Sequence, residues 1–281
     1  MPLESKFVMV DGVSTHYLEA GDPRAPHVVL LHGGEFGACA QIAYEATIEP
    51  LSREFHVVAP DMLGYGMTDK IVEFGLPHER RHDRRLKHLR GFLAALNISE
   101  ADFVGNSFGG AILTMDAASQ RPQLPYRRIV SISGRAATTS EARAALLGFD
   151  GSSRTMRELL RVLFHHKRWL ADAYVERRLA SALIPGAFEA ASSARLGPPA
   201  AQSRAVRLAA GDETPYENIR VPVLIAIGAN EKCCPGWGPE AADRIADCEI
   251  RTFQESAHCC HLEEPARFNE VLSNFLTKPT S

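Results

Sequence analysis

The sequence has few of the features that define several broad classes of protein. No run reaches the ~18 consecutive apolar residues of a membrane span, and residues 1–10 mix Glu4 and Lys6 into a short apolar run that lacks the core of a signal peptide. Neither charge dominates, because 31 basic and 34 acidic residues leave a net charge of −3. We therefore expect a cytoplasmic protein with a small-molecule partner, and no binding to nucleic acid or to a membrane.

Cysteine is also scarce, and six residues in 281 do not make a disulfide framework. Two adjacent pairs, Cys233-Cys234 and Cys259-Cys260, lie on loops that we expect folding to bring together. A metal site with His261 as a further ligand is one interpretation, although the spacing differs from that of C-x-x-C zinc sites. Small apolar thiols lining a pocket explain the pairs without a metal, and we predict no metal and no other cofactor.

The composition is otherwise that of a globular chain, with 45% hydrophobic and 23% charged residues. Most of the later apolar runs alternate with segments of helical periodicity, which predicts a mostly parallel sheet of eight strands with helices on both faces. An antiparallel hairpin that turns at Asp11-Gly12 precedes the alternation. The predicted strands are 7–10, 15–18, 28–31, 57–59, 102–105, 128–133, 221–228 and 249–253.

The alternation stops after the sixth predicted strand. From 135 to 214 the pattern is helical only, and the strand pattern resumes at Val221. An all-helical insertion between two parts of one α/β sheet is typical of a cap over the strand ends. We predict a core made of residues 1–134 and 215–281, with a helical cap over 135–214.

Residues 105–109 read Gly-Asn-Ser-Phe-Gly, a G-x-S-x-G motif that follows an apolar strand and precedes a helix. This context makes Ser107 the candidate nucleophile. A serine hydroxyl attacks poorly unless a base takes its proton, so the motif predicts a histidine, an acid that orients it, and two N–H groups for an oxyanion.

Glu231 and His258 are the candidates for the acid and the base. Both lie on loops expected at the carboxyl end of the sheet, and the order Ser107, Glu231, His258 is the one that hydrolases with such an elbow use. The alternatives are a structural histidine and an exposed loop glutamate. The other usual place for the acid holds Gly134 and Arg135, neither of which offers a carboxylate.

The candidate oxyanion site lies in the segment His32-Gly33-Gly34, which follows a predicted strand. Glycine lets backbone N–H groups approach a tetrahedral intermediate closely. We predict that the N–H groups of Gly34 and Phe108 form the pair, and the alternative is that the glycines only make a turn.

Taken together, these segments resemble the α/β-hydrolase superfamily and, within it, the meta-cleavage product hydrolases, which split a carbon–carbon bond in ring-opened aromatic dienoates. The subfamily resemblance rests on Asn106, on the cap and on the run Asp61-Met62-Leu63-Gly64-Tyr65-Gly66. It covers nearly the whole chain, including His258 with Glu263 and Pro265 after it. The segments that carry it are 31–34, 59–70 and 104–110.

The resemblance implies substrate-binding residues. In the family an arginine of the cap pairs with the substrate carboxylate, and Arg178 matches it better than Arg177. Asn106 lies beside the enol end of the substrate in the family, and we predict that Gly33 also binds substrate. The alternatives are a surface arginine and an asparagine that only satisfies the elbow backbone.

Three departures from the family pattern point to a changed substrate. Glu35-Phe36-Gly37 replaces a Gly-Pro-Gly segment, Ala43 replaces an asparagine that helps to bind the dienoate, and Cys259 replaces a tryptophan. Each change enlarges the substrate pocket or alters its polarity. Ala43 and Cys259 are therefore predicted to line it.

Three functions remain open from the sequence. The first is a carbon–carbon hydrolase acting on a ring-cleavage product or a related diketone acid, and the second is a carboxylesterase or lactonase with the same triad. The third is a ligand-binding or lyase variant that does not hydrolyse its ligand. The resemblance also implies a homodimer or a larger homo-oligomer, since such assemblies are common in the family.

Overall fold

The computed structural model describes residues 2–72, 78–135, 138–193 and 212–279. Its strands are β1 Glu4–Val10, β2 Val13–Ala20, β3 His27–Leu31, β4 His56–Pro60, β5 Ala101–Asn106, β6 Tyr126–Ile132, β7 Val223–Gly228 and β8 Cys248–Phe253. They form an eight-stranded sheet in the order β1-β2-β4-β3-β5-β6-β7-β8. Strand β2 pairs antiparallel with β1 and β4, and the remaining pairs are parallel. The predicted fold class is confirmed.

The hairpin between β1 and β2 turns where the sequence predicts. Asp11 and Gly12 have φ angles of 47° and 81°, and Val10 pairs with Val13. Two consecutive residues with positive φ form the type of two-residue turn whose twist matches that of the flanking strands.

Helices cover both faces of the sheet. Side chains alternate between the faces along the buried strands, so that Val29 and Phe103 join one apolar cluster while Val28 and Leu30 join the other. The helices are α1 Ala40–Tyr44, α2 Ile48–Leu51, α3 His78–Ala95, α4 Phe108–Ala117, α5 Ser140–Leu147, α6 Ser153–Leu163, α7 Asp172–Ala182, α8 Ala187–Ser193, α9 Trp237–Ala242, α10 Cys260–Glu263 and α11 Pro265–Leu276, with 3₁₀ turns at Lys167–Leu170 and Tyr216–Asn218.

Helices α5 to α8 lie between β6 and β7 in the chain. Their buried side chains, such as Leu159 and Val175, belong to the same apolar cluster as Val29 and Phe103 of the sheet. Residues 136–137 and 194–211 of the predicted cap lie outside the described residues, and the division into core and cap stays a prediction. In the part of the chain that is described, no helix is both long and apolar enough to cross a bilayer.

Most strands extend beyond their predicted bounds, and two have one end inside them for identifiable reasons. Strand β6 ends at Ile132 instead of 133, because Ser133 has a φ of 46° and turns the chain out of the sheet. Strand β7 begins at Val223 instead of 221, because Pro222 has no N–H to give to the ladder. The carbonyl of Pro222 still accepts a hydrogen bond of 3.0 Å from the Ile129 N–H.

Candidate active site

Ser107 occupies the sharp turn between β5 and α4. Its backbone has φ 50° and ψ −113°, a conformation that L-residues rarely adopt and that is characteristic of a strained nucleophile elbow. Two hydrogen bonds hold the turn: the Ser107 N–H donates to the Ile132 carbonyl at 2.7 Å, and the Ser107 carbonyl accepts from the Ala111 N–H at 2.9 Å. The strain is therefore balanced by the surrounding structure.

The two glycines of the motif are required by close packing. A Cβ atom on Gly105 would lie 2.5 Å from the carbonyl carbon of Gly109, and one on Gly109 would lie 2.4 Å from the carbonyl oxygen of Leu31. Any larger residue at either position would push α4 away from β3 and β5. These glycines thus let the helix begin directly behind the nucleophile.

His258 and Glu231 form the second half of the site. The Nδ1 atom of His258 lies 2.9 Å from Oε2 of Glu231, and both side chains are buried. The other oxygen of Glu231 accepts hydrogen bonds from the N–H groups of Cys233 at 2.6 Å and Cys234 at 3.3 Å. With Nδ1 facing the carboxylate, Nε2 is the ring atom left to take a proton from Ser107.

The electrostatic environment suits a paired acid and base. Burial raises the pKa of Glu231, but His258 and the Cys233 N–H lower it more, and the result is a pKa of about 2. Burial lowers the pKa of His258, whereas Cys233 and the Glu231 carboxylate raise it, and the net shift is upward. Glu231 is therefore ionised at neutral pH and stabilises a protonated imidazole.

The predicted oxyanion residues are in direct contact. A Cβ atom on Gly34 would lie 2.9 Å from Cβ of Phe108, so the backbones of the two residues lie side by side. Phe108 is the first residue of α4, where unpaired N–H groups and the helix dipole favour negative charge. The Tyr65 hydroxyl donates to the Gly34 carbonyl at 2.8 Å and fixes the orientation of that peptide.

His32, the first residue of the oxyanion motif, connects two loops. Its Nε2 atom accepts a hydrogen bond of 2.9 Å from the Met62 N–H, and its Nδ1 atom lies 2.7 Å from the Gly33 carbonyl. This pattern requires the neutral tautomer with hydrogen on Nδ1. Burial lowers the pKa of His32 and so favours that form.

A cavity of about 240 Å³ opens over these groups. Ser107, His258, Gly34 and Phe108 lie in its wall, which places the candidate nucleophile, the candidate base and the candidate oxyanion donors around one space. Apolar side chains of the helices after β6 form much of the remaining wall, and the charged residues in it are Glu35, Arg81, Arg85 and Arg135.

The structure places the other predicted substrate residues behind the wall. Gly33, Asn106, Ala43, Arg178 and Cys259 are buried and are not among the residues that line the cavity. The Asn106 amide donates to the Ile132 carbonyl at 3.4 Å, and Ala43 packs in the apolar cluster on the opposite face of the sheet from Cys259. Their roles in substrate binding stay predictions.

Arg178 has a partner within the protein. Its Nη2 atom donates to Oε1 of Glu35 at 2.9 Å and to the Phe36 carbonyl at 3.1 Å. The arginine is only 2% exposed, whereas Glu35 lies in the cavity wall. Each residue is identifiable on its own from the sequence, but nothing in the sequence indicates that they pair.

Glu263 joins two loops beside the candidate site, a role that the sequence did not reveal. One carboxylate oxygen accepts hydrogen bonds of 2.9 Å from the N–H groups of His165 and His166, which follow α6. The other oxygen accepts from the Ala257 N–H at 2.7 Å, next to His258. Glu263 thus attaches the loop of His258, the candidate base, to the helical insertion.

The paired cysteines, which we expect folding to bring together, divide between two environments. Cys233, Cys234 and Cys259 belong to the apolar cluster that reaches the cavity, while Cys260 belongs to the opposite one. Among the described residues, potential metal ligands converge at Glu231, Cys233 and His258, whose ligand atoms lie within 4.8 Å of one another. The hydrogen bonds of Glu231 to His258 and to the loop backbone account for this grouping.

The strained elbow on a mostly parallel sheet, with an acid and a histidine on later loops, defines a class of enzymes. A sequence model of the α/β hydrolase family matches residues 28–271. The chain belongs to this family.

Relatives narrow the comparison to one group within the family. The chain is 28% identical to a 2-hydroxy-6-oxo-2,4-heptadienoate hydrolase of Pseudomonas putida over 96% of this chain and 95% of the relative. It is 30% identical to a 2-hydroxymuconate semialdehyde hydrolase of Pseudomonas putida over 81% of this chain and 79% of that one. A structure of a meta-cleavage product hydrolase from Pseudomonas fluorescens superposes with a TM-score of 0.83 at 27% identity, covering 96% of this chain and 97% of the other. The resemblance predicted from the sequence is confirmed.

Proposed function

We propose that the protein hydrolyses a carbon–carbon bond next to a ketone in a ring-opened aromatic acid of the meta-cleavage type, or in a related diketone acid. The observation that carries the proposal is a cavity lined by Ser107 and by a His258 that pairs with Glu231, in a chain whose relatives are named as hydrolases of such dienoates. No cofactor is required for this chemistry.

The reaction follows from the position of each group. His258 moves the proton of the dienol oxygen to carbon and so generates a ketone. Ser107 then attacks the distal carbonyl and gives its proton to His258, while the Gly34 and Phe108 N–H groups stabilise the oxyanion. When the intermediate collapses, the carbon–carbon bond breaks and the leaving carbanion takes the proton from His258. Water, deprotonated by His258, finally attacks the acyl carbon, and the released Ser107 oxygen takes that proton back from His258.

A second function is favoured by one observation. The arginine that would pair with a substrate carboxylate, Arg178, is already bound to Glu35. An esterase or lactonase would use the same triad on a substrate without a carboxylate and would have no need of Arg178. We therefore keep a carboxylic ester hydrolase as the alternative.

The deciding experiment compares the two substrate classes. The purified protein is mixed with a meta-cleavage product of a catechol or a biphenyldiol, and its visible absorbance is followed beside hydrolysis of a p-nitrophenyl ester. We expect rapid bleaching that is lost in Ser107→Ala. Ester cleavage without bleaching would contradict the proposal and support the alternative, and bleaching that survives in Ser107→Ala would indicate a non-hydrolytic reaction.

The proposal extends to the setting of the protein. We propose that it acts in the cytoplasm on a small molecule, and that it assembles as a homodimer or a larger homo-oligomer. All six cysteines are free thiols, which agrees with a reducing compartment. Fractionation of cells and light scattering of the purified protein test the two statements separately.

A further inference from the structure

Glu35 lies between a buried cation and the space that receives the substrate. Its carboxylate lies in the wall of the cavity that also contains Ser107 and His258. Behind it, Arg178 donates to Oε1 at 2.9 Å and is buried away from the cavity. A ligand in the cavity therefore meets the carboxylate before the guanidinium.

The second oxygen of Glu35 lies over the oxyanion turn. A Cβ atom on Gly33 would lie 2.2 Å from Oε2 of Glu35 and 3.1 Å from Oδ1 of Asn106. The Asn106 amide nitrogen faces the Ile132 carbonyl, which leaves its oxygen on the side of Gly33. Of these two oxygens, only that of Glu35 belongs to a residue in the cavity wall, where a substrate hydroxyl or amide N–H would find an acceptor next to the candidate oxyanion site.

Glu35 also keeps its negative charge. Burial raises the pKa of this carboxyl, but Arg178 lowers it more through its charge and its hydrogen bond, and the net shift is downward. A substrate carboxylate placed here would face a like charge in a site shielded from water, which is strongly unfavourable. The internal carboxylate already accepts a hydrogen bond from Nη2 of the arginine.

Another cation lies in the same wall. Arg135 follows β6 and lines the cavity, and its Nε atom is buried without a hydrogen-bond partner in the described part of the chain. A guanidinium with an unused donor fits a carboxylate.

We propose that Glu35 is a specificity-determining residue that occupies Arg178 and selects a substrate presenting an uncharged hydrogen-bond donor at this end of the cavity, while a substrate carboxylate binds at Arg135. The inference rests on the proposed function only in assuming that the substrate is a ring-opened acid or a related diketone acid. The selection of charge follows from the cavity itself.

The test uses a matched pair of probes that need no turnover. Benzamide and benzoate have nearly the same shape, and they differ in that benzamide donates hydrogen bonds whereas benzoate carries a charge. Their dissociation constants are measured by calorimetry with the full-length protein. We expect Glu35→Gln to increase binding of benzoate relative to benzamide about ten-fold, and Arg135→Gln to decrease it about ten-fold.

Two further variants serve as controls. Glu45→Gln removes a carboxylate that pairs with Arg177 and does not line the cavity, so it should leave the ratio unchanged. Because Glu35→Gln leaves Arg178 as an unbalanced buried charge that could impair folding, the double variant Glu35→Gln/Arg178→Gln removes both charges. Its ratio should lie between those of the wild type and Glu35→Gln.

An unchanged ratio in Glu35→Gln and in the double variant would overturn the inference. So would an absence of binding of either probe to Glu35→Gln, or a response of Glu45→Gln equal to that of Glu35→Gln. Bleaching of a dienoate is measured separately on the wild type. If the benzoate-to-benzamide ratio shifts in Glu35→Gln but the wild type does not bleach a dienoate, the role of Glu35 stands and the proposed reaction fails. If the wild type bleaches the dienoate but the ratio does not shift, the proposed reaction stands and the role of Glu35 fails.

Discussion

At the scale of single residues, the site depends on the hydrogen bonds that position the charged carboxylate of Glu231. Its side chain is only 7% exposed, and one oxygen faces His258 while the other accepts from the backbone of its own loop. A buried carboxylate with this set of donors serves as a fixed partner for an imidazolium. The extra methylene relative to an aspartate is accommodated because the loop N–H groups of Cys233 and Cys234 set the position of the carboxylate.

Glu231→Gln should lower the rate and shift its pH dependence. The carboxylate raises the pKa of His258, so activity in the wild type should rise with pH above pH 6.5, as His258 loses its proton and becomes able to act as a base. In the variant this rise should occur at lower pH. The rate at the plateau should fall by about 10²-fold to 10⁴-fold, because the amide no longer stabilises the imidazolium or fixes the tautomer. The measurement is the pH profile of kcat/KM for the compound that the wild type hydrolyses, the dienoate or the p-nitrophenyl ester.

Acid stability provides the control for this prediction. The pKa of Glu231 in the folded protein is about 2, below its ordinary value of 4.5, so its charge contributes stability that is complete above pH 4.5 and is lost as the pH falls towards 2. The free energy of unfolding of Glu231→Gln should lack this part of the acid dependence. An unchanged pH profile of kcat/KM in Glu231→Gln would contradict the coupling of Glu231 to His258.

At the scale of elements, the contact of α4 with the sheet decides whether the elbow forms. Gly109→Ala places a methyl group 2.4 Å from the backbone oxygen of Leu31, which cannot move without breaking β3. We expect a loss of at least about 2 kcal/mol in the free energy of unfolding, together with loss of activity, because the helix and the Phe108 N–H are displaced.

Gly91→Ala is the matched control, since Gly91 is also a glycine within a helix, here α3. Its added methyl group meets only a side-chain carbon of Val10, at 2.7 Å. The gain in helix propensity of about 1 kcal/mol should offset the cost of moving that group. Equal losses from the two substitutions, measured by denaturant unfolding, would show that close packing at the elbow is not the cause.

The elements also show how far the sequence could be read. Prediction succeeded for the strands of the parallel sheet and for the hairpin turn. Apolar runs and an Asp-Gly dipeptide are signals carried by neighbouring residues in the sequence. The loops of Ser107, Glu231 and His258 could be identified because each follows a predicted strand. The pairing of Arg178 with Glu35 could not, because it depends on how α7 packs against a turn 143 positions earlier in the chain.

At the scale of the whole molecule, the sheet and the helical insertion share one interior. Leu159 and Val175 of the insertion belong to the same apolar cluster as Phe103 of the sheet. Hydrogen bonds cross the same boundary: the His258 N–H donates to the Leu163 carbonyl at 3.1 Å, and the Thr139 N–H donates to the Cys233 carbonyl at 2.8 Å. The loops that carry the acid and the histidine are therefore attached to both parts.

This continuity predicts that the two parts unfold together. A shared core and shared hydrogen bonds make separate unfolding costly, so calorimetry should give one transition whose calorimetric and van't Hoff enthalpies agree. Glu263→Gln weakens the link among His165, His166 and Ala257 and should lower the Tm while the transition stays single, because the apolar cluster remains intact. Two resolved transitions in the wild type would mean that the insertion is an independent unit, and that the catalytic loops are held by the sheet alone.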